Sequence, residues 1–302
     1  HLAPKAQSLA VSATRLHHTK GHVVVVDYFP RKKHDSGSQR LFQILKTLRS
    51  EGFGVTLISL SATPYAREAK ELSRMGVCVT LAESEQWKRI VRAQAAKVDL
   101  VIAARPEGMA FYQSRLRPLI PRTPVVYDTL DLHHFRLQRE IDVLGGSKRQ
   151  KRRIESLGRR EIHYAQLADR TIVTSDTDGQ ALRDQIPGLL PVIMPGIFEP
   201  KEASSPAFES RHGLIFVGNF DHVPNADGLR WFIDEVFPRV LELEPRITLR
   251  IVGTPVPHWL ETVDSPGVQV MGSVDDLDGV YAKSRVAIAP LRFGAGVKGK
   301  VA

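Results

Sequence analysis

Residues Val286 to Ala302 read VAIAPLRFGAGVKGKVA, a strand that runs straight into a glycine-rich turn. An apolar, β-branched run gives way at once to Gly294, Gly296 and Gly299, interleaved with Lys298 and Lys300. Glycines lack a Cβ, so the backbone can turn sharply there and bring its N–H groups against phosphate oxygens, while the lysines supply positive charge. Strand, glycine turn, cations and then the start of a helix make a seat for a diphosphate on a parallel α/β scaffold.

Working outward, short β-branched runs alternate with amphipathic segments along the whole chain, the pattern of parallel strands joined by crossover helices. The first half offers strands at His22–Tyr28, Val55–Leu60, Val77–Leu81, Asp99–Ala103, Pro124–Asp128 and Arg170–Thr174. Leu41, Leu45 and Leu48 fall at helical spacing between the first two, and Gly52 stops that helix. Arg153 to Ala168 reads as another long helix. From Pro187 to Pro206 the composition turns to Pro, Gly and Ser without period, which marks a linker. Strands then restart at Leu214–Val217, Ile247–Val252, Val268–Met271 and Val286–Ala289, with Leu229, Phe232, Ile233, Val236 and Val240 on one helix face between the first pair. The expected organisation is a patternless leader over 1–20, an N-terminal Rossmann-like domain over 21–195, a linker over 196–210 and a C-terminal Rossmann-like domain over 211–302. In such sheets ligands bind outside the carboxyl ends of the strands.

The 302 residues suffice for two domains of ordinary size, and 42% hydrophobic with 25% charged residues is globular composition. The one cysteine, Cys78, lies in an apolar run and reads as a core residue of a protein from a reducing compartment. No apolar run approaches the roughly 20 residues of a membrane span, and the N-terminus lacks a signal-peptide layout, so a cytoplasmic location is expected. A formal net charge of +9 calls for an anionic partner. Part of that charge sits in Lys148–Arg153 (KRQKRR), which opens a long polar helix. That run reads either as a solvated face or as a contact with a membrane surface.

Each strand end carries polar or glycine residues. After the first strand, Gly37 precedes a helix that Ser36 or Ser38 could cap. The fifth strand ends in YDTLDLHH, which gathers Asp128, Asp131, His133 and His134 as hydrogen-bonding or acid–base groups. Gly218, Asn219 and Phe220 follow the first strand of the second half, and Gly253 and Gly272 follow the next two. Asp275, Asp276 and Asp278 read as the N-cap and first turn of a helix over Leu277–Lys283, in preference to a metal site. Neither GxGxxG nor a Walker pattern is present.

These blocks together resemble a group 1 glycosyltransferase of the GT-B fold, the retaining, nucleotide-sugar-dependent type of bacterial surface polysaccharide and O-antigen assembly. The resemblance covers most of the chain. VVVVDYFPRKKHDSGSQRLFQILKTLRSEGFGVTLIS, VVYDTLDLHHFR, ADRTIVTSDTDGQAL, LIFVGNFDHVPNADGLRWF and APLRFGAGVKGKVA are similar to successive family blocks in the expected order. It implies two Rossmann-like domains facing across a cleft, the second incomplete, because an acidic donor contact, the last strands and a returning helix are expected past Ala302. It implies that Lys300, Lys298 and Arg292 contact the donor diphosphate, that Gly294 and Gly296 let amides approach it, and that Gly37 faces it from the first domain. Asp131 or His133 would stand beside the transferred sugar, and Val274 and Leu277 near the nucleobase.

Where many relatives carry an Arg and a Lys after the first strand of the second domain, this chain has Asn219 and His222. The implied activity is metal-independent transfer from a nucleoside-diphosphate sugar to a glycan or lipid-linked acceptor, without a cofactor and with peripheral contact at the inner face of the membrane. Two alternatives remain open, a nucleotide-sugar epimerase on the same scaffold and a nucleic-acid-binding module. Scattered basic residues and the lack of interleaved aromatics speak against the module.

Overall fold

The structure is a computed structural model, and it describes residues 20–31, 36–61, 66–196 and 206–294. The described chain divides into two compact units, one of residues 20–134 and 148–196, the other of residues 135–147 and 206–294. The division departs from the expected domains at residues 135–147, which group with the second unit. The expected leader falls outside the described residues except Lys20, whose N–H donates to the Gly52 carbonyl at 2.9 Å.

The first unit is built on seven parallel strands: β1 (His22–Asp27), β2 (Gly54–Ser59), β3 (Val77–Leu81), β4 (Val98–Ala104), β5 (Val125–Asp128), β6 (Arg170–Val173) and β7 (Val192–Ile193). Their order is β3-β2-β1-β4-β5-β6-β7. β1 reads HVVVVD with all six residues buried, as a central strand covered on both faces must. Burial of each of its valines is worth about 1.5 kcal/mol or more. The crossovers include α1 (Ser36–Ser50), α2 (Ala66–Arg74), α3 (Gln86–Gln94), α4 (Arg105–Phe111), α6 (Lys148–Leu167) and α7 (Asp176–Gln185), α4 runs on into a π turn at Tyr112–Leu116, and α5 (His133–Leu144) starts in this unit but groups with the second from residue 135. Leu41, Phe42 and Leu45 of α1 share one buried cluster with Val23, Val25, Leu57 and Leu72.

The first six strands stand within a residue or two of their expected limits, and KRQKRR does open α6. β7 is the exception, a two-residue strand in the stretch read as linker. Both its residues are exposed, and a strand that short leaves no periodicity to read.

The second unit has four parallel strands, β8 (Leu214–Val217), β9 (Leu249–Val252), β10 (Val268–Gly272) and β11 (Val286–Ala287), in the order β10-β9-β8-β11. Its helices are α8 (Val223–Trp231), α9 (Phe237–Leu243), α10 (His258–Glu261) and α11 (Leu277–Lys283). The apolar face expected as one helix is carried by α8, a π turn at Phe232–Val236 and α9 in succession. Pro238 enters at the first turn of α9, where its missing N–H costs nothing, and the π turn absorbs the break. Leu229, Phe232 and Ile233 still reach one core with Phe216, Phe237, Leu249 and Ile251.

Among the described residues, no helix is long and apolar enough to cross a membrane.

Candidate functional sites at two switch points

A doubly wound parallel sheet has one place where strand order reverses direction, and the crevice beyond the strand ends there is open to a ligand. In the first unit that place lies between β1 and β4. Asp27 closes β1 at 2% exposure, accepting from the Tyr28 N–H at 2.7 Å and from Arg105 Nε at 2.9 Å. Burial pushes the Asp27 carboxyl above the usual carboxylate range, and Arg105 pulls against that. Arg105 follows β4 directly and holds φ at 62°, a left-handed conformation uncommon outside glycine. Its guanidinium also lies 5.6 Å from the Tyr28 ring centroid.

One strand further along, the end of β5 is tied down by partners from three other elements. Arg40 of α1 pairs through Nη1 with Asp128, both almost fully buried, and its Nη2 donates to the Met194 carbonyl at 3.3 Å. Leu130 stands at φ 59°, its carbonyl accepting from Thr174 Oγ1 at 2.7 Å, while Thr129 Oγ1 donates to the Ile172 carbonyl at 3.0 Å. This loop presents Asp131, whose Oδ1 lies 2.9 Å from His133 Nε2. The first turn of α5 is held by Glu161 of α6, whose carboxylate accepts from the backbone N–H groups of His133 and His134 at 2.9 and 3.0 Å and lies 2.5 Å from His134 Nδ1. Gly158, one turn back on α6, gives the His134 ring its room; a Cβ there would stand 3.0 Å from it.

Of the four polar residues expected together after β5, Asp131 and His133 therefore form a pair that remains partly exposed. Asp128 and His134 are committed to Arg40 and Glu161 instead. Gly37 is the second residue of α1, inside the first turn, where helix N–H groups have no intrahelical partner.

In the second unit the reversal lies between β8 and β11. Gly218 follows β8, and a Cβ there would stand 2.9 Å from the Phe216 ring and 3.1 Å from Asn225 Nδ2. Buried Asn225 donates to the Asn219 carbonyl at 2.7 Å, and Asn219 Oδ1 accepts from the Asp221 N–H at 2.8 Å, so the loop after β8 is set by amides. Gly253 after β9 takes φ 154°, and any Cβ would land on the Gly218 carbonyl oxygen. Gly228 of α8 sits against the Pro290 carbonyl beyond β11 in the same way.

Arg292 forks onto Asp227, with Nε donating to one carboxylate oxygen at 2.9 Å and Nη2 to the other. That leaves Nη1 clear of the pair. Gly294 is buried at φ 153°, and its carbonyl accepts from Arg139 Nη1 at 2.5 Å. Val274 and Leu277 are half-buried beside the N-terminus of α11. Asp276 caps that helix, its Oδ1 accepting from the Gly279 N–H at 2.9 Å. Gly296, Lys298 and Lys300 lie outside the described residues. Among the described residues, no three His, Cys, Asp or Glu side chains come together in a way that could hold a metal ion.

Sequence reasoning missed Asp27, Arg40, Arg105, Glu161 and Asn225. Arg105 had a readable signal, a charged residue and Pro106 ending the apolar run of β4. The others announce themselves only through partners far away in the chain.

Residues 211–302, which make up most of the second unit, match the family model described as glycosyl transferases group 1. The fold of the chain is similar to that of TarM, with a TM-score of 0.62 at 8% identity over 89% of this chain and 80% of that one. It is also similar to sucrose-phosphate synthase from Thermosynechococcus elongatus, with a TM-score of 0.59 at 13% identity over 90% and 76%. The MnaA–UDP complex of S. aureus gives a TM-score of 0.50 at 10% identity over 88% and 74%. No curated protein sequence matches. At these identities the likeness is one of fold, and that fold is the α/β GT-B architecture, as expected from the sequence.

Proposed function

We propose that the chain is a retaining, metal-independent glycosyltransferase that moves a sugar from a nucleoside-diphosphate sugar to a glycan or lipid-linked acceptor of bacterial surface polysaccharide, of the O-antigen kind, at the inner face of the membrane. The observation that carries the reading is the match of residues 211–302 to the group 1 family, on the unit whose strand-end loops pack closely through glycine. The UDP held by the similarly folded MnaA supports a nucleoside diphosphate as the ligand class.

In this reading the second unit takes the donor and the first the acceptor. The acceptor hydroxyl oxygen bonds to the anomeric carbon on the face that the diphosphate leaves, so configuration is retained, as the carbon–oxygen bond to the diphosphate breaks and its electron pair leaves on the phosphate oxygen. Negative charge grows there. Amides freed by Gly294 and Gly296 and the charges of Arg292, Lys298 and Lys300 would meet it, and preorganised donors of this kind stabilise such charge strongly. Asp131 with His133 is the candidate group for receiving the hydroxyl proton. Val274 and Leu277 would flank the base, Gly218, Asn219 and Gly253 would shape the loop walls, and in the first unit Gly37 would offer a helix-end amide to an anionic group.

Thermal-shift screening against UDP-, GDP- and dTDP-sugars, followed by product analysis with and without chelator, tests this. One nucleotide class should raise the melting temperature. Lys300→Ala should cut turnover about 10²- to 10³-fold, the effect of losing one such donor, with the fold intact by circular dichroism. No response to any nucleotide sugar, or unchanged turnover in Lys300→Ala, would sink the reading or the residue respectively. Epimerised donor formed without acceptor would hand the scaffold to the epimerase alternative.

A further inference from the structure

We infer that the solvent face of α6 is a docking surface for anionic lipid headgroups. The inference rests on the reading above insofar as a lipid-linked acceptor brings the chain to a membrane. The surface itself lies wholly within the first unit and draws nothing from the strand ends of the second.

α6 runs for 20 residues, and its buried side is formed by Ile154, Gly158, Glu161 and Ala165. At 3.6 residues per turn, Lys148, Arg149, Arg152, Arg153, Arg159 and Arg160 fall on the opposite side, and all six are exposed. Lys151 is a seventh exposed cation, on the flank near Gly158, and Glu155 is the one exposed acid on the helix. Among the described residues, none of the six is held in a hydrogen bond or ion pair. The arrangement also runs against the helix itself: Lys148, Arg149 and Lys151 crowd the end where the dipole is positive, and the first turn carries no acid. Folding gains nothing from that placement, whereas an anionic surface does.

Four to eight basic residues on one face of a helix is the pattern by which proteins sense anionic lipid. A nucleic acid is the rival polyanion. Ser156 and His163 are what lie between the cations, and the aromatic rings on which bases would stack are absent from this face. On its buried side the same helix carries Glu161, which fixes the start of α5 beside Asp131 and His133. Docking through the outer face therefore brings the acceptor-side pair within about one helix diameter, 10–12 Å, of the headgroups.

The test is co-sedimentation of the chain with phosphatidylcholine vesicles and with phosphatidylcholine–phosphatidylglycerol vesicles, set beside Arg149→Glu/Arg152→Glu/Arg160→Glu and a labelled duplex DNA. The chain should bind the anionic vesicles alone and release them as salt rises. The triple variant should bind at least about 100-fold more weakly, from roughly fivefold per neutralised charge, while melting at the same temperature. Binding that survives the triple variant, absence of binding to anionic vesicles, or tighter binding to DNA through the same residues would each overturn the inference. Nucleotide-sugar thermal shifts on the same preparations separate the two claims, because they depend on the second unit and not on α6.

Discussion

The two sheets reverse direction in the same way and furnish the crevice with opposite materials. Beyond β1, β4 and β5 the first unit places paired charges: Asp27 with Arg105, Asp128 with Arg40, and one strand over Glu161 with the start of α5. Beyond β8, β9 and β11 the second unit places mainly backbone, with Gly218, Gly253 and Gly228 each in contact that a Cβ would forbid, beside one ion pair, Arg292 with Asp227. A rim of ion pairs holds a loop in one place and leaves a few directed groups exposed, as Asp131 and His133 are. A rim of glycines lets the loops after the strands pack at closest approach on the unit's own main chain and rings, which brings backbone groups, the partners a phosphate uses, to the strand ends. The fold is common to both, and what each can do is set by these residues.

The largest expected effect attacks the charged rim. Arg40→Ala leaves the Asp128 carboxylate buried without its partner, and breaking a buried pair from one side costs about 3–5 kcal/mol. The double variant Arg40→Met/Asp128→Leu should recover most of that, since no uncompensated charge remains. Urea unfolding of the two variants checks it. If Arg40→Ala unfolds like the parent, the rim of the first unit is not held by charge and the contrast with the second unit loses half its content.

Next comes the backbone rim. Gly253→Ala meets a φ of 154° and a carbonyl oxygen where its methyl must go, so the loss should be roughly 3 kcal/mol or more, from strain and overpacking together. Hydrogen exchange should localise the loss to β8, β9 and β10 and leave β1 to β6 protected. The nucleotide-sugar thermal shift should disappear with it. A variant that keeps both its stability and its donor response would show that this loop does not shape the site.

How much of this was legible in advance follows the same contrast. The glycines after β8, β9 and β11 could be read because a glycine's meaning is local: it stands where it acts, immediately after an apolar strand. Six strands of the first unit were legible for the same reason. The ion pairs were not, because Asp27 and Arg105 are 78 residues apart and Arg40 and Asp128 are 88 apart. YDTLDLHH correctly located polar groups after β5, yet sequence order could not say that Asp128 and His134 turn inward to distant partners while Asp131 and His133 pair with each other. β7 escaped because two exposed residues have no period.

A smaller effect separates the rims by pH. The native Asp27 carboxyl titrates above its unfolded value of 3.8, first because burial disfavours its charge. Between the two values the native state binds the extra proton, so this contribution to stability is present in full below the unfolded value. It is lost as pH rises through the native one, at about 1.4 kcal/mol per unit of separation. Asp27→Asn should remove that falling slope. Urea midpoints of parent and variant across the acid range will show it, and parallel curves would mean that Arg105 cancels the burial of Asp27 completely.

The smallest effect decides what the acids of the second unit are for. Asp275, Asp276 and Asp278 stand where a diphosphate-bound metal is easily imagined, yet Asp276 spends its Oδ1 on the Gly279 N–H at the start of α11. A cap of this kind is worth about 1 kcal/mol, and asparagine caps as well as aspartate. Asp276→Ala should therefore lower stability by about 1 kcal/mol, while Asp276→Asn should stay within a few tenths of the parent. A metal ligand would behave differently, because the asparagine variant would lose affinity and the parent's melting temperature would climb with added Mg²⁺ or Mn²⁺. Equal losses in the two variants, or a cation response that vanishes in Asp276→Asn, would move these acids from the framework into the chemistry. The second rim would then carry charge that acts in the chemistry, beyond the Arg292–Asp227 pair.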